Sequence, residues 1–304
     1  MSWENLIYLA DFLQLSGERT FNLLGGEPTL HPEFIGFVIY LLERDFEIKV
    51  FTCGIMPGPL LEETAAAFQN IPQEKLSFIL NLNHPDKSGM AEMEKKRSRS
   101  FMRIFGQRIT PGFTIYRADY RLDFLFRLIN AFGLKKTLRL GLAHPIVGAE
   151  DMFIQIDDME VVIDRLFSYI PKFERFRIKP ALGCGFPMCK VKDHQLAWLY
   201  RHTGGGYDFN CAPVIDIGPD MMVGSCFPLS SFQRRSLFEF NSLGEIRDFY
   251  GEIHEKIKIE SGGIYLACDS CHQRRDNLCK GGCLAHNLNT FHEEPRLRMP
   301  EVYL

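Results

Sequence analysis

No stretch of this 304-residue chain is apolar for long enough to cross a bilayer. The longest run, Phe34 to Leu42, is interrupted by Gly36 and is about half of the ~20 residues a spanning helix requires. Basic charge is not in excess either: 35 lysines and arginines stand against 38 acids, a net charge of -3, so there is no electrostatic footprint for a nucleic-acid backbone. The opening residues contain Glu4 and Asp11 and have neither a basic leader nor a small-residue cleavage site. Internal repeats and low-complexity tracts are also missing. These absences point to a cytoplasmic, soluble protein with no membrane or nucleic-acid partner. The most informative shortage is of cysteine in the first part of the chain, where Cys53 is the only one before residue 184. Nine cysteines in a reducing compartment do not make a disulfide framework, and eight of them lie beyond residue 180, so metal binding is their expected purpose.

What is present is an ordinary globular composition, 46% hydrophobic and 24% charged, in a chain long enough for one large domain and a smaller one. Leu6, Leu9, Phe12 and Leu13 recur at helical spacing over residues 3 to 16, and Gly17 follows as a C-cap. Strands are then expected at 20 to 24, 47 to 52, 76 to 83, 113 to 116 and 137 to 142. Helices are expected at 34 to 42, 60 to 68, 120 to 132 and 159 to 169, with a charged helical stretch at 88 to 108 and a further strand at 176 to 179. Near-continuous apolar strands such as LSFIL and LRLGL alternating with helices indicate a parallel sheet covered by helices. From about 181 the chain becomes rich in Gly, Pro and Cys, and VIDIGPDMMVG reads as a hairpin turning near Gly218, Pro219 and Asp220. The reading is two domains, residues 1–180 and 181–304.

Two segments carry chemistry. In FNLLGGEPTLHPEF, adjacent Gly25 and Gly26 permit positive φ and close approach of backbone to a ligand. Glu27 adds a carboxylate, and Pro28 removes a donor and stiffens the exit. Such a turn suits an ammonium group. The second segment is Cys268-Asp-Ser-Cys271 followed, after seven residues, by Cys279-Lys-Gly-Gly-Cys283, with Cys211 and Cys226 flanking the hairpin and Cys184 and Cys189 in GCGFPMC. Eight thiols in close pairs are enough for two four-cysteine sites, and spacing alone leaves iron–sulfur clusters and zinc both open. The basic group Lys95, Lys96, Arg97, Arg99 and Arg103 reads as the solvated face of a helix. His144, at a strand end, reads as structural before functional.

GGEPTL after a strand resembles the S-adenosylmethionine (SAM) motif of radical SAM enzymes, and VFTCGI resembles the family's third strand, with Thr52 and Gly54 matching and Cys53 in place of asparagine. FILNLNHP is similar to the family's ribose-facing strand, which assigns Asn81 and Asn83 to the nucleoside. The hairpin and its cysteines resemble the SPASM domain of radical SAM peptide and protein maturases. Here Met221 stands at the usual hairpin glycine, seven residues separate Cys271 from Cys279, and no cysteine follows Cys283.

The resemblance implies an α/β fold, a partial (β/α)6 TIM-like barrel of parallel strands with the first strand missing, plus a small cysteine-rich domain. It implies SAM bound at Gly25, Gly26, Glu27, Pro28, Thr52, Asn81 and Asn83, and two auxiliary 4Fe-4S clusters. Cys211, Cys226 and Cys283 would serve one cluster and Cys268, Cys271 and Cys279 the other, with the remaining ligands drawn from Cys184, Cys189, His286 or His292. The family's C-x3-C-x2-C motif for a third, SAM-cleaving 4Fe-4S cluster has no counterpart here. The expectation is a truncated chain or a mis-assigned start, whose full form would cleave SAM reductively and abstract hydrogen from a peptide or protein substrate, fed by an electron donor such as a flavodoxin or ferredoxin. Two alternatives stay open: a non-catalytic iron–sulfur protein and a zinc-stabilised binding module.

Overall fold

The computed structural model describes residues 1–84, 91–149, 151–183, 185–203, 209 and 211–293; the side chains of Ser261, Thr290, Phe291, His292 and Glu293 are outside that description. The first helix, α1 (Trp3–Leu15), starts where the Ser2 hydroxyl accepts the Asn5 N–H and buries Leu6, Leu9, Ala10, Phe12 and Leu13. It stops in a Schellman turn: Gly17, at φ 77°, donates to the Gln14 carbonyl and Glu18 donates to Leu13. Then β1 (Thr20–Leu23), α2 (Phe34–Glu43), β2 (Glu47–Thr52), α3 (Gly58–Phe68), β3 (Leu76–Asn81), α4 (Glu92–Phe105), β4 (Ile109–Ile115), α5 (Asp123–Ala131) and β5 (Thr137–Leu142) alternate. They are followed by α6 (Met159–Phe167), α7 (Ile170–Phe176) and β6 (Lys179–Leu182). The six strands pair in sequence order, and every pairing is parallel. This is the open α/β sheet expected of a partial barrel, and it places all strand C-terminal ends on one rim.

Two strands begin elsewhere than the sequence reading expects, each because of a proline. β4 begins at Ile109 rather than 113 and includes Pro111 and Gly112. Lys135 bonds the Ile109 carbonyl while Leu82 bonds that of Gly112, so odd residues of β4 face β5 and even residues face β3. Pro111 therefore lacks its N–H on the β5 side, and that ladder starts only at Gly112. The other strand, expected at 176 to 179, is displaced to 179–182. Pro171 opens the separate helix α7, which ends with Arg177 in the left-handed conformation at φ 53°. β3 ends at Asn81, so Asn83 lies beyond it.

Aromatic packing dominates the core, as in Phe78 against Phe101 and Phe105, with ring centroids 5.1 and 4.6 Å apart. On α4, Lys96, Arg99 and Arg103 are exposed, so its basic face is solvated.

After α8 (Asp193–Thr203), the hairpin of β7 (Asp216–Ile217) and β8 (Met222–Gly224) turns at 218–221, and β9 (Arg235–Ser236) adds a third antiparallel strand. Met221, buried in this turn, has φ 62°. The long helix α9 (Leu243–Ser261) leads to α10 (His272–Arg275) and α11 (Leu284–Glu293). The second half packs back on the first. Asn5 donates to the Pro219 carbonyl at 2.9 Å, Leu243 N–H to the Ser16 hydroxyl at 2.9 Å, and Tyr8 lies 5.0 Å from Phe238. One buried apolar cluster runs from Leu6 to Tyr250 and beyond. Among the described residues no helix is long and apolar enough to cross a membrane.

Candidate cofactor and metal sites

The Gly25–Pro28 turn leaves β1 at the C-terminal rim of the sheet. Gly25 and Gly26 have φ of 93° and 54°, a left-handed path that glycine follows without strain. The next residue ties the turn to its neighbour strand. One oxygen of the Glu27 carboxylate accepts the hydroxyls of Thr29 and Thr52, each at 2.7 Å, and the Thr29 N–H at 3.3 Å; the other accepts the Cys53 N–H at 2.7 Å. Thr52 in turn receives the Gly54 N–H at 2.9 Å. Glu27 thus serves as a brace across β1 and β2, and the carbonyls of the glycine turn remain as acceptors for a cation. Gly54, at φ 68°, packs so tightly that a Cβ there would lie 2.8 Å from Leu80.

Of the residues assigned to SAM, Glu27 and Thr52 are bonded to each other. Asn81 and Asn83 lie along the same rim, both exposed. A Cβ on Gly112 would sit 3.2 Å from the Asn81 amide oxygen, so that side chain lies over the adjoining strand β4. His144, just past β5, is buried against the second half of the chain: its ring meets His286 edge-on at 5.4 Å, and Gly185, at φ 97°, comes so close that a Cβ would be 2.1 Å from the imidazole. Burial, with His144 nearby, pushes the His286 imidazole down to about 3.

None of the eight described cysteines forms a disulfide; Cys184 lies outside the described residues. The thiols fall into two groups. Burial raises the Cys189 thiol, and the neighbouring Cys268, Cys279 and Cys271 raise it further. This places Cys189 beside the CxxC pair and Cys279. In the second group Cys211 and Cys226 pack against the apolar cluster that contains Cys283, Leu284 and Ile257. Burial raises Cys211, with Cys283 adding to it, and pushes Cys283 up to about 11. Thiols in this state are held protonated until a metal replaces the proton. Against that burial, the first turn of α11 aims N–H groups at sulfur, Leu284 at Cys211 and Ala285 and His286 at Cys283.

The glycine run that joins the two groups is compact. Gly281 and Gly282 have φ of 81° and 88°, and added Cβ atoms would lie 2.8 Å from Gly263 Cα and 2.7 Å from Ile264. Among the described residues no three His, Cys, Asp or Glu side chains converge closely enough to share one metal ion. Soft thiol donors, glycine turns and backbone N–H groups directed at sulfur suit an iron–sulfur centre.

The residues that sequence reasoning missed are on α9. Leu243, Ile246, Tyr250, His254, Ile257 and Lys258 form its buried stripe, and within it His254 bonds the Ser225 hydroxyl at 3.0 Å while Lys258 bonds the Cys211 carbonyl. A histidine and a lysine at apolar positions of a helical repeat were the available signal.

No family model matches the chain, and no curated protein matches it in sequence. Its fold is similar to that of SuiB from Streptococcus suis. The structure of SuiB bound to S-adenosylmethionine aligns with 95% of this chain and 67% of its own, at 15% identity and a TM-score of 0.66. The structure of SuiB bound to precursor peptide SuiA aligns with 96% of this chain and 66% of its own, at 14% identity and a TM-score of 0.65. The chain thus spans about two thirds of the length of these proteins, and at such identity the likeness is one of fold.

Proposed function

We propose that this chain is a radical SAM protein of the peptide-modifying kind, with a SAM cradle on the barrel rim and two iron–sulfur clusters in a C-terminal SPASM-like domain beginning near residue 181. The observation that carries the reading is the union in one chain of a braced Gly-Gly-Glu-Pro turn at a parallel-sheet rim with two separate groups of thiols, of which Cys268, Cys279 and Cys283 are buried. The fold likeness to SuiB, a protein bound to S-adenosylmethionine in one structure and to a precursor peptide in another, supports both the ligand and a peptide substrate.

In this reading the carbonyls of Gly25 and Gly26 accept the SAM ammonium, Glu27 holds the turn against Thr52, and Asn81 and Asn83 meet the ribose, as donor–acceptor side chains can. Cys189, Cys268, Cys271 and Cys279 hold one cluster; Cys211, Cys226 and Cys283 contribute to the other. If SAM were bound, these residues would position it and exclude water, and the cofactor would supply the radical chemistry once an electron reached it. Such chemistry requires a three-thiolate cluster for which this sequence has one cysteine before residue 184.

Reconstitution with iron and sulfide under anaerobic conditions tests the reading. About eight irons per chain are expected, falling by about half in Cys279→Ala, together with SAM binding by calorimetry. A chain isolated anaerobically with stoichiometric zinc and no iron would be the zinc-stabilised module instead. Full clusters without SAM affinity would leave a non-catalytic iron–sulfur protein.

A further inference from the structure

We infer that Lys258 is the internal cation of the site formed by Cys211, Cys226 and Cys283, a positioning residue that sets the electrostatic potential felt by an iron–sulfur cluster there. The inference rests on the reading that these thiols hold a cluster, and it goes beyond that reading by assigning the cluster's redox behaviour to one side chain.

Lys258 is on the inward stripe of α9 and only 7% exposed, an unusual place for a lysine. Its ammonium donates to the backbone carbonyl of Cys211. The acids nearest to it are engaged elsewhere: Glu255 pairs with Lys280 at 3.6 Å and Asp269 with Arg274 at 3.6 Å. Among the described residues no carboxylate forms an ion pair with Lys258. Glu255, shared with Lys280, gives Lys258 some electrostatic support, but a buried ammonium without an ion pair of its own is costly, and leucine or methionine would fill the same space without that cost. The cost is offset if negative charge gathers beside it, as it does when thiolates and sulfides assemble around iron.

Position also separates the two clusters. Lys258 lines a cleft of about 350 Å³ together with Cys268, Cys271, Arg274 and Lys280, but its Nζ bonds towards Cys211. Arg274, which acts on Cys268, pairs with Asp269 and bonds the Lys258 carbonyl oxygen. One-electron reduction makes a cluster more negative, so an unneutralised cation favours the reduced form and raises the potential. The cluster on Cys211, Cys226 and Cys283 is therefore more readily reduced than it would be without Lys258.

The test is a dithionite titration followed by electron paramagnetic resonance on the reconstituted full chain, with Cys279→Ala used to isolate the signal of the cluster on Cys211, Cys226 and Cys283. Lys258→Gln keeps a donor for the Cys211 carbonyl and removes the charge; Lys258→Arg keeps the charge. We expect Lys258→Gln to shift that cluster's potential to more negative values at unchanged iron content, and Lys258→Arg to leave it near the wild-type value. Loss of this cluster in Lys258→Gln with retention in Lys258→Arg would show the same dependence on charge, expressed in assembly. An unmoved potential in Lys258→Gln, equal shifts in both variants, or loss of the cluster in both would overturn the assignment. A wild-type chain without iron would instead remove the reading beneath it.

Discussion

At the scale of single residues, Glu27 explains more of the SAM cradle than its charge alone would. Its carboxylate accepts four donors, two of them the hydroxyls of the buried Thr29 and Thr52. Glu27→Ala should leave those donors without an acceptor, lower stability by about 1–3 kcal/mol, and weaken SAM binding, as thermal unfolding and calorimetry would report. Gly26 acts through its backbone. No atom lies within 4 Å of where its Cβ would be, so a side chain there meets no protein neighbour, but φ of 54° penalises a β-branched residue by roughly 1–2 kcal/mol. Gly26→Val should therefore reduce SAM affinity with iron content unchanged, whereas Gly26→Asn, which tolerates the left-handed region, should be much milder. Equal loss in both variants would mean that bulk facing the ligand, and not backbone strain, is the cause.

At the scale of elements, α9 carries a pH dependence. Burial, with Lys258 nearby, lowers His254 from the ordinary 6.5 to about 4, and Ser225 is its hydrogen-bond partner. A histidine whose pKa is lower in the folded state takes up its proton more readily when unfolded. Stability is thus intact above about 6.5 and falls as pH drops towards 4, by roughly 3 kcal/mol if the whole shift is realised. His286, lowered for the same reason and facing His144, adds to this. Denaturant unfolding of His254→Gln across this range should show a flatter profile than wild type; an identical slope would assign the acid sensitivity elsewhere. The elements themselves were largely legible in the sequence. β2 and β5 match their expected limits because apolar alternation and flanking turns agree there. β4 and β6 were misplaced because a proline reads as a breaker, and only the ladder reveals on which side its missing N–H falls. The GGEP turn was visible as a motif because it is local in sequence, whereas the grouping of Cys211 with Cys283 joins distant positions and was implied only by the family resemblance. The burial of His254 and Lys258 was not visible, because it depends on what α9 packs against.

At the scale of the whole molecule, the change of composition near residue 181 does not coincide with a break in packing. The apolar cluster is continuous across it, β6 extends the sheet to Leu182, and α1 is bonded to residues beyond 215. Denaturant unfolding should then proceed as one transition, with tryptophan fluorescence from Trp3 and Trp198 coinciding with far-ultraviolet circular dichroism. Two separated midpoints would show that the cysteine-rich half unfolds by itself.

The two borders of the six-stranded sheet are not equivalent. Lys179 and Gly183 direct their N–H groups to β5, so Pro180 faces outward and offers no donor, and a further strand cannot be laid against β6 in regular register. On β1 the Thr20 N–H is taken by Glu18 at 3.1 Å, but Asn22 is exposed on the outer side. Regular pairing is therefore barred by a proline at the β6 border, and β1 carries no such block. The β6 border is thereby protected against edge-to-edge pairing with another sheet.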